Sequence, residues 1–323
     1  MRLPTIVGVA GGLVLTLVAP AAAQLAGSHT LGDYGVQAGS QPGPGFYDIV
    51  FYYRYATDTI KDADGNTVDP LPGTPPSTEV TGIANFLYVV TKATIGGAHY
   101  GAMVVLPWVN GTIEAPAFAL SERTGTRFGD LMVRPFELGW HAKQADVTTG
   151  FEFYLPTGRY ERGGSDNVGK GMVTFEPYVG TTLFFDQKRS VSVATTAFWQ
   201  INGDKKDTST RVGQILTLEG GVGKSVMGGG VSVGIAYYAE WKITEDRLGE
   251  FVLPGGTPID VELPDKHKVW AFGPEVTLPI ATASRLFALV NVRYLWETRV
   301  RVKTQGDTLV VTATLPIPST KLK

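Results

Sequence analysis

The chain contains no cysteine, which excludes a disulfide framework and every thiolate-ligated metal site. Charge is also scarce. Asp, Glu, Lys and Arg make up 18% of 323 residues and the net charge is −2, without the basic excess that a nucleic-acid partner requires. Long apolar runs are missing after the N-terminus: no later stretch holds the 18 consecutive apolar residues of a membrane-spanning helix. Phosphate-loop spacing is lacking too. Gly220-Gly221-Val222-Gly223-Lys224 has neither the four-residue spacer nor the following helix that a nucleotide cradle needs.

Glycine (40), phenylalanine (15), tyrosine (13) and tryptophan (6) are plentiful by contrast. Residues 1–23 read as a secretory signal. Arg2 is the basic start, Ile6 to Val18 the apolar core, and Ala21-Ala22-Ala23 the small-residue cleavage site before Gln24. That core has about 13 residues, short of the roughly 20 of a spanning anchor.

The rest of the chain alternates with period 2, the signature of strands. In 145–155, Val147, Thr149, Phe151 and Phe153 share one face, and Asp146, Thr148, Gly150, Glu152 and Tyr154 the other. Similar patterns predict about twelve strands near 46–57, 79–93, 98–110, 127–142, 145–155, 170–186, 189–202, 211–225, 230–243, 267–279, 285–301 and 306–316. Their connections alternate between short (94–97, 143–144, 187–188, 227–229, 280–284) and long (58–78, 111–126, 156–169, 203–210, 244–266). Only the short last connection, Val302–Gln305, departs from this. Tight turns on one side and longer loops on the other mark an all-β, transmembrane, antiparallel up-and-down barrel spanning 46–316. Residues 24–45 carry no strand pattern and read either as a flexible periplasmic leader or as a plug or latch in the bore. Residues 317–323 read as a polar tail.

The polar alternate positions are the candidate functional residues. Glu152, Glu176, Glu219, Glu240, Glu275 and Glu297 fall in or near mid-strand, and Asp48, Arg54, Arg134, Arg293 and Arg299 sit on what read as corresponding faces. A soluble exterior would carry more lysine. A Glu/Arg set facing a narrow wet bore pairs into charge-assisted hydrogen bonds, whereas Arg or Lys on a lipid face near the midplane costs roughly 2–4 kcal/mol. In 127–142, Asp130 and Arg134 share a parity and Glu137 is offset by one. A bulge at Pro135 restores a single inward face. The expected bore-lining set is Asp130, Arg134, Glu137, Glu152, Glu176, Glu219, Glu240, Glu275, Arg293 and Glu297. Pro177 and Pro274 are expected to mark irregular pairing, and aromatic residues near strand ends to form interfacial girdles.

Catalytic chemistry is not visible. Of the four histidines, His99 and His141 fall beside short turns and His267 at the opposite rim. His29 lies in the N-terminal segment. No serine has a nucleophile-elbow context, Ser165 reads as a turn residue, and the strand map separates serine from histidine. No His/Asp/Glu spacing suggests a metal site, and Asp62, Asp64 and Asp69 near Asn66 lack the full set for calcium. No cofactor is expected.

Several phrases together resemble the MetA-pathway of phenol degradation family. They are Phe128-Gly129-Asp130-Leu131, Pro135 with Leu138-Gly139-Trp140-His141, Leu155-Pro156-Thr157-Gly158-Arg159-Tyr160, Gly169-Lys170, Phe175-Glu176-Pro177, Gly273-Pro274-Glu275-Val276, Arg293-Tyr294-Leu295-Trp296 and Gln305-Gly306-Asp307. Their order covers about 120 through 316. The resemblance implies an outer-membrane channel for hydrophobic or aromatic compounds and supplies no catalytic residues. One departure is the polar ending Ser319 to Lys323, where many barrels close on an aromatic residue.

Together these features predict a monomeric outer-membrane barrel passing small solutes by passive or facilitated diffusion. Its partners would be bilayer lipids, the solute and, during biogenesis, the barrel-assembly machinery. A non-conducting structural or adhesive barrel is the alternative, and a membrane-embedded lipid hydrolase a third. Arg134 and Glu176 are the positions whose loss should alter conductance or ion selectivity.

Overall fold

Alternation becomes architecture when the first and last strands pair. In a computed structural model that describes residues 25–68, 72–116, 120–162, 166–226, 231–247, 251–252, 258–259, 266–282, 284–318 and 320–321, twelve strands form the wall. They are β1 (Gly45–Lys61), β2 (Ser77–Ile95), β3 (Ala98–Ala115), β4 (Leu120–Phe128 continued by Leu131–His141), β5 (Ala145–Leu155), β6 (Thr174–Phe184), β7 (Val191–Asn202), β8 (Ile215–Val226), β9 (Val231–Lys242), β10 (Lys268–Thr282), β11 (Arg285–Arg301) and β12 (Lys303–Ile317). Each pairs antiparallel with its sequence neighbour, and β12 returns to β1 from Phe46↔Ile317 to Lys61↔Lys303. Closure leaves no unpaired edge, which a bilayer requires because its interior offers no water to exposed backbone groups.

The short connections gather at one rim, here the turn end, and the long ones at the other, the loop end. Residues 1–23, the expected signal, lie outside the described residues, as do Ser165, Asp69, the turn 227–229 and most of 244–266.

Outward alternate residues are apolar and exposed, among them Val147, Val179, Leu183, Val222, Ile235, Phe272, Leu278 and Ile280. Inward ones are polar and buried, among them Asp146, Glu152, Glu176, Thr182, Thr196 and Glu219. A soluble β-protein would show the reverse, so this polarity fits an apolar solvent outside and a polar interior. Trp108, Trp199, Trp241, Trp270 and Trp296 fall in the loop-end halves of their strands, with Trp140, Phe185 and Phe287 near the turn end. Indole and phenyl rings of this kind sit well at the two lipid–water boundaries.

Several expectations change in detail. Residues 111–126 are mostly strand: β3 and β4 extend as a hairpin from Gly111↔Thr124 to Ala115↔Leu120. Polar cross-strand contacts such as Ser121 Oγ donating to Glu114 Oε1 at 3.0 Å support the ladder where no lipid does. β6 starts at Thr174 and β8 at Ile215, four residues later than expected. The bulge at Pro135 is present, with the register shifting between Val133 and Phe136, and Arg134 and Glu137 both face inward. Pro177 and Pro274 leave the register unshifted but interrupt pairing on one side, the β6–β7 ladder lapsing at Glu176 and Pro177 and the β10–β11 ladder at Gly273 and Pro274, as a residue without a donor does.

Arg299 has φ +50° and is exposed. The chain reverses its facing there, so Val300 is buried and Arg299 is not. In β1 the inward residues are Phe51, Tyr53 and Tyr55, so Asp48 and Arg54 point outward, bonded to Asn85 and to Glu79. The tail is not wholly free, because Thr320–Lys321 pairs with Leu286 and Arg285.

Candidate functional site

The N-terminal segment runs through the barrel. Leu25 packs with Met172, Val212 and Ile215 at the loop end, where Lys242 Nζ donates to its carbonyl at 3.1 Å. Ser40 Oγ reaches Asp146 Oδ2 at 2.7 Å toward the turn end, and the chain then enters β1. This segment makes no ladder, so its backbone amides need other acceptors. The wall meets several of them with carboxylates. Gly32 N and Tyr34 N donate to the two oxygens of Glu219 at 2.6 and 2.8 Å, and Val36 N donates to Glu275 Oε2 at 3.0 Å. Arg293 Nη1 donates to the Gly32 carbonyl at 2.8 Å and also to that of Asp33. Further along, Thr196 Oγ1 donates to the Ala38 carbonyl at 2.9 Å and Gly39 N to Thr182 Oγ1 at 3.1 Å. Such acceptors explain why glutamate rather than lysine dominates the bore.

Glycines let the segment press against the wall. Val36 lies on Gly221, Gly223 and Gly234, where an added Cβ would come within 3.0 Å or less of its side chain. The run that resembled a phosphate loop is therefore a seat for a valine. Gly39 is tighter: a Cβ there would stand 2.2 Å from backbone atoms of Thr181. Gly39→Ala is therefore expected to lift the turn-end half of the segment off β6 and raise ion conductance in planar bilayers. Traces identical to the parent's would contradict this seating.

Nine of the ten expected site residues are buried inside the ring: Arg134, Glu137, Glu152, Glu176, Glu219, Glu240, Glu275, Arg293 and Glu297. Arg134 ties most of the middle together. It donates to Glu152 Oε2 at 2.7 Å, to Glu137 Oε2 at 3.0 Å and to the Tyr34 hydroxyl, and lies over the Tyr178 ring. Glu240 accepts from Lys303 Nζ at 2.7 Å, and Glu297 accepts the Tyr55 and Tyr238 hydroxyls at 3.0 and 2.9 Å. Asp130 differs. It sits at the interruption of β4, half-buried, and accepts Gly158 N and Lys170 N at 3.0 and 2.7 Å, pinning the 156–173 loop against the wall.

The lining is two-sided. From β4 to β11 the inward residues are mostly polar, and the segment lies along them. From β1 to β3 they are apolar, with Phe51, Phe86, Tyr88, Met103 and Val105 forming one cluster with Met132 and Val310. Between this apolar wall and residues 26–33 a cavity of about 420 Å³ remains. Phe51, Tyr53, Phe86, Met132 and Tyr154 supply rings and thioether, while Lys170, Lys303 and the carboxyls of Asp33, Asp130, Glu152, Glu240 and Glu297 supply charge. Thr78 and Glu297 line both this cavity and an open hollow of about 760 Å³ at the loop end.

Period-2 counting puts Tyr178 on the inward face with Glu176 but could not single out Tyr34, Gln41, Tyr88 or Gln200, whose roles come from the segment's path. A signal was present: Gly27, Gly32, Gly35 and Gly39 recur in a stretch without strand alternation, as close backbone approach requires. The spacing argument against a His/Asp/Glu cluster also fails in space, because His29, Glu152 and Glu176 converge from three segments. His29, His141 and His267 each bond a carboxylate, on Glu176, Asp146 and Glu240.

The chain is similar to known barrels. A family model described as "Putative MetA-pathway of phenol degradation" matches residues 57–313. An outer membrane channel from Pseudomonas putida F1 superposes with a TM-score of 0.70 at 16% identity, covering 89% of this chain and 99% of that one. The transport unit of the autotransporter AIDA-I from Escherichia coli superposes with a TM-score of 0.50 at 11% identity, covering 95% and 97%. No curated protein sequence matches. At these identities the likeness establishes the transmembrane barrel fold.

Proposed function

This chain belongs to the MetA-pathway phenol-degradation family, and from that premise we propose that it is an outer-membrane channel admitting small aromatic solutes, closed at rest by residues 25–44. The observation that carries this reading is the cavity of about 420 Å³ between the segment and the apolar wall. Binding pockets for small molecules span roughly 300–1,000 Å³ and combine apolar walls with a few polar groups. Here Phe51, Phe86, Tyr53 and Tyr154 offer ring faces and edges, and Lys170 offers a cation for an acidic or phenolic substituent. A solute descends from the hollow at the loop end past Glu297 into the cavity. Below it stand Tyr34, Val36 and Gln41, so passage onward requires the segment to move. The chain carries no nucleotide-binding motif, and the solute's own gradient drives flux.

The test is flux into proteoliposomes of benzoate and 4-hydroxybenzoate, charged rings that cross lipid slowly, against arabinose of comparable size. Aromatic flux is expected to exceed sugar flux, and Met132→Trp, which fills the cavity, to lower it several-fold while sparing arabinose. Equal flux of ring and sugar would make this a general pore. No flux of either would favour the non-conducting structural barrel, for which the hydrogen-bonded filling of the bore is the specific support.

A further inference from the structure

Halfway along the bore, three ligand-type side chains from three separate segments meet. One atom each from His29, Glu152 and Glu176 lies within 4.8 Å of the others. Glu152 and Glu176 are direct cross-strand partners on β5 and β6, an arrangement that like charge ordinarily disfavours. His29 stands against them, its Nδ1 2.9 Å from Glu176 Oε1, and a third carboxylate, Glu219 Oε1, stands 3.4 Å from its Nε2. The His29 side chain is 2% exposed and those of Glu176 and Glu219 0%.

Two observations beyond proximity point to a missing positive centre. First, Glu176 Oε2 is a buried polar atom without a hydrogen-bond donor, a costly condition in a dry interior. Second, charge does not balance. Among the described residues, the carboxyls of Asp33, Glu137, Glu152, Glu176, Glu219 and Glu275 around the cluster face the cations Arg134, Arg293 and His29. Uncompensated carboxylates out of water are strongly unfavourable, so such an excess is relieved either by protons shared between carboxyls or by a bound cation, and the binding experiment below separates the two.

We propose that His29, Glu152 and Glu176 bind one divalent first-row transition-metal ion, with Glu219 orienting the imidazole from its Nε2 side, and that this ion staples the N-terminal segment to the barrel wall. An imidazole nitrogen among carboxylate oxygens suits zinc, manganese or cobalt better than calcium or magnesium, which favour all-oxygen shells. Tetrahedral ligands at about 2.1 Å from zinc stand roughly 3.4 Å apart, within reach of carboxylate side-chain rotation from the observed spacing. Because one donor comes from the segment and the others from β5 and β6, the ion bridges the moving part to the fixed part. Metal occupancy therefore favours the closed barrel.

The experiment uses the mature protein in detergent, without a polyhistidine tag and stripped by chelator. Zinc is titrated against a chromophoric chelator, and cobalt is followed by its visible absorption. One equivalent is expected to bind, with visible bands diagnostic of nitrogen and oxygen ligation. His29→Ala and Glu176→Gln should each weaken binding by on the order of 100-fold. His99→Ala, which breaks up the neighbouring pair of His99 and His141 rings, should bind as the parent does. Heat-modifiable migration in detergent gels verifies that each variant still forms the barrel. Absence of stoichiometric binding in the parent, or undiminished binding in folded His29→Ala, overturns the proposal. Neither result bears on solute flux, so the metal staple and the channel reading fail separately. In planar bilayers, zinc should lower conductance of the parent and leave that of His29→Ala unchanged.

Discussion

Deleting residues 25–43 is expected to raise single-channel conductance by roughly an order of magnitude, since the bore of a small barrel is just wide enough for its filling. The segment obstructs the middle by contacts on several wall strands: Glu219 holds Gly32 and Tyr34, Glu275 holds Val36, and Glu137 accepts from Gln41 Nε2 at 2.9 Å. None of these contacts belongs to the ladder that closes the barrel, which runs directly between β12 and β1. The truncated chain should therefore still fold and migrate as a heat-modifiable barrel. Water replaces the lost amide donors at the glutamates, so the bore stays polar and open. Unchanged conductance in a folded truncation would mean that the barrier lies elsewhere, in the outer loops, and the resting state proposed above would be wrong.

Arg134→Ala should produce the second large effect, and it acts on stability as well as conductance. The guanidinium is 5% exposed and faces two carboxylates that are themselves buried, while also holding the Tyr34 hydroxyl of the segment. Removing one partner of a buried ion pair typically costs about 3–5 kcal/mol, because the charge left behind has neither water nor a counter-ion. The barrel can escape that cost by admitting water, which means loosening the segment. The expected result is a lower thermal midpoint in detergent together with higher, noisier conductance. Adding Glu152→Gln should recover part of both, since it removes the stranded charge. A variant whose melting and current match the parent's would show that Arg134 is solvated and that the network does not hold the segment.

Much of the barrel was legible in the sequence because a period of two is a local property. Where Glu152 falls relative to Phe151 and Phe153, or Glu176 relative to Phe175 and Pro177, is decided by neighbours one residue apart, and a strand cannot hide it. The Pro135 bulge was legible for the same reason, as a slip of one residue between Arg134 and Glu137. Arg299 was misjudged because its left-handed backbone breaks the count within a strand, and nothing in its neighbours announces that. Asp48 and Arg54 were misjudged because β1 inverts the rule, putting Phe51, Tyr53 and Tyr55 inside.

By itself, then, the sequence determined the fold class, the number of strands and which mid-strand glutamates turn away from lipid, all consequences of short-range alternation against an apolar solvent. Only the tertiary structure decided what those carboxylates hold. Residues 25–41 lack periodicity because they pair with no strand, and their partners lie 96 to 261 positions away along the chain. Contacts at such separations exist only once the ring closes around the segment. For that reason the seating of Val36, the meeting of His29 with Glu152 and Glu176, and the cavity beside Phe86 belong to the folded barrel rather than to any stretch of its sequence.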